Sequence, residues 1–227
     1  MKRIRMSIQS KLSSARLILS RHGFGGIIVY LFRLIFWRVY NDNLSRIFLF
    51  VLDTPKPTPE SIRAAEGHIF RFATIEDLQT LNKESIWGIG DKNILAFKKG
   101  DRCLLQLDGD ILVGYTWLAA SSLVEIMWGF HFNMPDDTAY NYKGFTAPAY
   151  RGKAFQPLRH LKLLEHIKTT GQRRLFGYVD QMNLDSLKGV RKSGYKKIGV
   201  LRCVRKREKV RFSLRVSKDL WSMEKRT

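Results

Sequence analysis

Residues 139–167 constrain the fold more than any other stretch. AYNYKGFTA (139–147) reads as a strand, edged by Tyr140 and Tyr142. LRHLKLLEHI (158–167) reads as a helix, with Leu158, Leu161, Leu164 and Ile167 spaced by threes. Between them lies YRGKAFQP (150–157), so the chain must turn from strand to helix within a few residues. Gly152 and Ala154 are small, and Pro157 stands where the helix would begin, a position that tolerates its missing N–H. The first turn of a helix carries unpaired N–H groups and the positive end of its dipole. Such a turn is an anion site by construction. Arg151 and Lys153 add charge, and the small residues let a phosphate approach the backbone. On spacing alone a basic connection on the surface is the commoner outcome.

The remaining elements follow from local signals. DTPKPTPES (53–61) has prolines at 55, 57 and 59, which block a helix and favour an extended linker over 53–66. The segment before it, 1–52, reads as one or two helices broken near Gly23, Gly25 and Gly26. HIFRFAT (68–74) alternates like a strand, and Thr74 with Asp77 predicts a capping box for the next helix. RCLLQLDGDILVGYTWLA (102–119) predicts a hairpin around Asp108-Gly109-Asp110. LVEIMWGFHF (123–132) reads as one further strand. RRLFGYVD (173–180) reads as a strand, and 183–194 as a short helix between an Asn183 N-cap and Gly194. Residues 195–204 and 210–216 read as closing strands, followed by a basic tail, 217–227. Helices between strands predict an α/β or α+β class for a domain at 67–216.

The net charge of +20 is uneven. Residues 1–56 hold 10 Lys/Arg against 2 Asp/Glu, residues 188–227 hold 15 against 3, and the middle holds 15 and 15. Cationic ends attract anions: lipid headgroups, nucleic acid or a phosphate-bearing ligand. HGFGGIIVYLFRLIFW (22–37) is interrupted by Arg33, so it is too short for a span of about 20 apolar residues. It lacks a small-residue cleavage site, and an interfacial helix at the membrane surface is the expectation. Cys103 and Cys203 lack metal or disulfide-framework spacing, which predicts reduced thiols and a cytoplasmic protein. No metal site is expected.

The block from Tyr140 to Tyr195 resembles the GNAT acetyltransferase superfamily. The resemblance is carried by F145-T-A-P-A-Y-R151-G-K-A-F-Q156, then LFGYVD, then N183-L-D-S-L-K-G-V-R-K-S-G194-Y195. Pro148-x-Tyr150-Arg151-Gly152-Lys153 is its most specific part, and R71-F-A-T-I-E-D77-L looks like that family's first strand and helix. The resemblance covers roughly 68–204. It implies a mixed, mostly antiparallel sheet with flanking helices, here preceded by the N-terminal helical segment. It also implies an acyl-CoA N-acyltransferase using acetyl-CoA as co-substrate. Backbone N–H groups of Arg151, Gly152, Lys153, Ala154, Phe155 and Gln156 would hold the CoA pyrophosphate. The strands before and after the turn would part around the pantetheine arm, and Asn183 would touch that arm. Ala154 replaces a motif glycine and Gln156 a small residue, and Val190 stands where the family often has a tyrosine acid.

Acyl transfer to an amine needs a base for the amine and a proton for the thiolate. Glu125, His131, Asp136 and Asp137 are the ionisable groups just upstream of the turn, and His131 ranks first because its ordinary pKa lies nearest neutrality. Trp117, Trp128, Phe130 and Phe132 are core residues or an acceptor pocket. The acceptor expected is a small or membrane-linked amine, such as an amino sugar used in surface polysaccharide assembly, with an anionic membrane as a further partner. Two other readings remain: a GNAT fold that binds without catalysis, and nucleic-acid binding through RKREKVRFSLR (205–215). No nucleic-acid motif accompanies that charge.

Overall fold

The computed structural model describes residues 42–84, 86, 89–127, 129–206 and 209–216, with 25, 28, 31 and 32. The chain divides into two compact units, residues 1–44 with 203–211, and residues 45–202 with 212–227. The second carries every candidate site residue.

Local chemistry sets the element ends. Thr74 Oγ1 accepts from Asp77 N at 3.2 Å and Asp77 Oδ2 accepts from Thr74 N at 2.7 Å, the reciprocal cap that opens α2 (Ile75–Lys83). Arg71, on β2 (Ile69–Phe72), grips the same carboxylate through both oxygens and holds it down at about 2. The hairpin predicted at 102–119 is β3 (Arg102–Asp108) and β4 (Ile111–Leu118), closed by a two-residue loop in which Gly109 has φ of 57°. The sequence reading did not single out α3 (Asp91–Lys98).

Three expectations are corrected. Residues 42–52, read as the end of a helical segment, form strand β1 (Asp42–Leu52), whose Ile47–Leu52 pair antiparallel with β8 (Arg174–Asp180). Ile47, Leu49 and Leu52 are fully buried, so this apolar run belongs to a sheet interior. The rest of the helical segment and the tail 217–227 lie outside the described residues, apart from helical positions at 25, 28, 31 and 32. The proline stretch is not all linker: Pro59 opens α1 (Pro59–Arg63) at its first position, behind a Thr58–Ser61 capping box. Finally, 123–132 is not one strand. It is a hairpin of β5 (Leu123–Met127) and β6 (Phe130–Asn133), turned at Gly129, whose φ is 82°. Trp128 lies outside the described residues.

The main sheet has eight strands in the order β10-β9-β1-β8-β7-β4-β3-β2, where β7 is Thr138–Thr146, β9 Lys196–Lys206 and β10 Lys209–Val216. Every pairing resolved in register is antiparallel except β7 with β8. Parallel neighbours need a crossover. Here it is α4 (Phe155–Lys168), entered through a 3₁₀ turn at Pro148–Tyr150. Helix α5 (Leu184–Lys192) then leads from β8 to β9.

Each sheet face has its own apolar core. Leu163, Leu164 and Ile167 of α4 and Leu187 and Val190 of α5 pack with Leu175 and Val179. Leu78, Leu81 and Ile89 pack with Leu105, Tyr115 and Trp117. Leu161 of the expected stripe is only half-buried, whereas Leu163 is fully buried, because a 3.6-residue repeat drifts off a spacing of three. Trp117 and Phe132 are buried core residues.

Candidate functional site

The turn after β7 leaves a run of amides without protein partners. Tyr150 N donates to Ala147 O at 2.9 Å and Arg151 N to Pro148 O at 3.3 Å. From Gly152 to Gln156 no backbone N–H finds a protein acceptor among the described residues. Gly152 has φ of 88° and Ala154 φ of 55°, and these left-handed positions bend the backbone into a concavity lined by N–H groups. Helix α4, with 14 residues, has no side-chain cap and no acidic residue in its first turn. Among the described residues nothing competes with an external anion there. A Cβ on Gly152 would meet nothing within 4 Å, so the turn is open to solvent on that side. Arg151, Gly152 and Lys153 are exposed, while Phe155 is buried and anchors the helix start. Pro157 is the third helical residue, because the helix begins at Phe155.

A buried polar network holds this turn. Arg159, fully buried on α4, donates from Nη1 to Gln106 Oε1 at 2.8 Å and from Nη2 to Thr146 Oγ1 at 2.6 Å. Gln106 Oε1 is thereby an acceptor, so Gln106 Nε2 is the donor to His68 Nδ1 at 3.0 Å. His68 Nε2 then faces Asp108 Oδ2 at 3.9 Å, and Asp108 Oδ2 accepts from Tyr150 Oη at 2.9 Å. Arg151 Nε donates to Thr146 O at 3.1 Å, and Lys153 Nζ lies 5.5 Å from the Tyr150 ring centre. Neither Gln106 nor Arg159 stands out from its sequence context. Arg159 beside an apolar stripe was the available signal, because long cations rarely sit on a buried face unless paired.

Beyond the turn the two parallel strands part. Strands β7 and β8 pair only at Thr138↔Arg174, Ala139↔Leu175 and Tyr140↔Phe176. The later part of β7 stays with β4, and β8 stays with β1. Between Tyr115 and Trp117 of β4 the register slips, so Thr116 faces two residues, Lys143 and Gly144, and Lys143 has φ of 48°. This bulge kinks β7 where the strands separate. Asn183 caps α5, its side chain accepting from Ser186 N at 3.1 Å. The side chain of Gln156 reaches across from α4 to α5: a Cβ on Gly189 would lie 2.4 Å from Gln156 Oε1.

The expected catalytic groups do not stand together: Glu125 is close enough to Tyr178, at the parting, for its charge to act on that phenol, while Asp136 and Asp137 lie just before β7. Val124, Ile126 and Phe132 form the buried face of the β5–β6 hairpin, while Glu125 and His131 form a cross-strand pair on its exposed face. His131 Nδ1 donates to Gly129 O and Gly129 N to Glu125 Oε1, both at 2.9 Å, so the pair serves the hairpin turn. Asp136 and Asp137 precede β7, at the end where it still pairs with β8. Asp136 lines a cavity of about 160 Å³ with Ser121, Tyr140 and Gln172. Burial pushes the Asp137 carboxyl up, but hydrogen bonds from Arg174, Arg173 and Thr138 outweigh it and hold it at about 2. That carboxylate is a weak base and a strong strap between β7 and β8. At the parting itself stand tyrosines: Tyr140 stacks on Tyr142 at 5.3 Å and on Tyr178 at 5.9 Å. Burial raises the phenol pKa of all three, so each keeps its proton at neutral pH. Tyr178 Oη donates to Ile126 O at 2.9 Å.

No family model matches the sequence, and no curated protein matches it. Solved structures are similar to it in fold. A conserved protein of unknown function from Staphylococcus epidermidis shares 12% identity at a TM-score of 0.43, over 74% of this chain and 63% of that one. A GCN5-related N-acetyltransferase-like protein from Streptococcus suis shares 13% at 0.45, over 76% and 66%. A tandem GNAT protein from the clavulanic acid biosynthesis pathway shares 12% at 0.46, over 73% and 55%. The chain thus spans less than two thirds of the first of these. Its own strand order, with one parallel pair that parts beside a cap-free helix start, is the mixed, mostly antiparallel sheet that the sequence's resemblance to GNAT acetyltransferases implies.

Proposed function

We propose that this chain is an acyl-CoA-dependent N-acyltransferase that moves an acetyl group from acetyl-CoA to an amine. The observation that supports this reading most is the run of unpartnered amides at Gly152–Gln156, set beside the parting of β7 and β8. Amides and the helix dipole suit a pyrophosphate, and the parted strands leave backbone edges for the amides of the pantetheine arm. The neutral amine nitrogen attacks the thioester carbonyl, the C–S bond breaks, the nitrogen gives up its extra proton to water, and the departing thiolate takes a proton. Tyr178, a protonated phenol two residues beyond the last β7–β8 pair, is the proposed donor. Tyr178→Phe is expected to lower kcat about tenfold with CoA affinity unchanged; an unchanged kcat removes it from the chemistry.

Calorimetry with acetyl-CoA, followed by turnover against free and lipid-linked amino sugars, tests the reading. The choice of acceptors rests on the cationic ends of the chain, which suit an amine held at an anionic surface. No described helix is long and apolar enough to cross a membrane. Binding without turnover would favour the non-catalytic reading, which the side chain of Gln156 lying in the cleft supports.

The cradle has its own test. At φ of 88°, Asn and Asp are the side-chain-bearing residues best tolerated at position 152, and they differ chiefly in charge. Gly152→Asp is expected to bind CoA at least tenfold more weakly than Gly152→Asn, a difference of about 1.4 kcal/mol. Equal affinities in the two folded variants would remove the anion from this turn.

A further inference from the structure

We propose that Gln156 is an internal occupant of the cofactor cleft, and that its displacement sets how tightly the pantetheine arm binds. This rests on the acyl-CoA reading of the same site. Gln156 is the second residue of α4, yet its side chain does not point along the helix surface to solvent. It crosses to α5, where the missing side chain of Gly189 makes room for it: a Cβ there would fall 2.4 Å from Oε1 and 3.4 Å from Cδ. On the other side, Gly144 of the β7 bulge leaves space of its own, with its would-be Cβ 3.9 Å from Gln156 Nε2. Two glycines thus flank one carboxamide between β7 and α5.

That carboxamide is half-buried, and it has no hydrogen-bond partner in the protein among the described residues. Its amide atoms are not among the fully buried ones, so solvent still reaches them and no protein bond holds the side chain in place. A side chain that packs between two glycines without a bond can be swung aside by an amide-bearing chain that needs the same space. The pantetheine arm is a flexible chain with two amides. To run from the cradle at 152–156 into the gap between β7 and β8, it must pass the start of α4 beside α5. That route is where Gln156 lies. The phosphate part of the cofactor, by contrast, needs only backbone N–H groups, which the side chain does not cover.

The two parts of the cofactor are therefore separable by experiment. ADP carries a pyrophosphate without the arm, and CoA carries both. Gln156→Ala removes the occupant at a position where alanine favours the helix. The expected result is at least tenfold tighter binding of CoA, with ADP affinity within twofold of the parent chain, both by calorimetry. Unchanged or weaker CoA binding would overturn the proposal, since Gln156 would then be indifferent to the arm or a contact for it. An equal gain for ADP and CoA would also overturn it, because the side chain would then be obstructing the phosphates. If neither protein binds either ligand while both stay folded, the cradle reading itself fails, an outcome distinct from the others.

Discussion

Gly114→Ala is expected to destabilise the fold by about 3 kcal/mol or more, because a single methyl group meets backbone and a buried cation together. A Cβ at this position would lie 2.4 Å from Phe145 O, on the neighbouring strand, and 2.8 Å from Arg159 Nη1. Neither neighbour can yield cheaply. Phe145 is paired with Tyr115 across β4 and β7, so its carbonyl moves only if the ladder moves. Arg159 is fully buried, and its guanidinium reaches the acceptors Gln106 Oε1 and Thr146 Oγ1. Burial lowers its pKa to about 10, so it remains charged at neutral pH and loses those bonds if pushed aside. Overpacking a core costs about 1–3 kcal/mol, and a broken buried hydrogen bond adds a similar amount. For a chain of this size that corresponds to a fall in Tm of roughly 6–12 °C. The turn at 150–156 should loosen as well, since the network through Gln106, His68 and Asp108 ends on Tyr150. A variant melting within 2 °C of the parent would show that the strand pair can spread freely, against this account.

Stability is expected to fall steadily as pH drops from about 6.5 to 4, and one buried histidine should account for most of the slope. His160 sits on the buried side of α4, its ring edge-on to Tyr195 at 5.2 Å, and its Nδ1 has no partner among the described residues. Burial, and then the neighbouring Arg159, lower its pKa to about 3. Between that value and the ordinary value near 6.5, the unfolded chain binds one more proton than the folded chain. The contribution is therefore fully present above pH 6.5 and is lost as pH falls, at about 1.4 kcal/mol per pH unit, reaching about 3 kcal/mol by pH 4. Asp77 and Asp137 are both held at about 2, so their contributions are present above their unfolded values and fade only at lower pH. His166, lowered by burial and by Arg102, acts in the same direction. Urea titrations between pH 4.5 and 7 should give a slope that His160→Phe largely removes. If the slope survives that substitution, His160 is not the titrating group.

The sequence by itself determined the features that depend on neighbours along the chain. Thr74 and Asp77 are three residues apart, so their mutual cap needs only a helix to form. Asp108-Gly109-Asp110 closes a hairpin because Gly109 accepts a positive φ. The strand-to-helix turn was legible for the same reason: Gly152 and Ala154 are small and take left-handed backbone, and no residue near Phe155 caps the helix. The tertiary structure decided what depends on partners distant in sequence. Whether 42–52 is strand or helix is settled by β8, some 130 residues later, which supplies the hydrogen bonds; a short apolar run fits either period equally well. Which face of the β5–β6 hairpin is buried left Glu125 and His131 on the solvent side, since alternation fixes two faces but not which one meets the core. The burial of Arg159 beneath Gly114, and the reach of Gln156 to Gly189, each join elements more than 30 residues apart. Such contacts leave no spacing to read, because a missing side chain on one element matters only when folding brings the other against it.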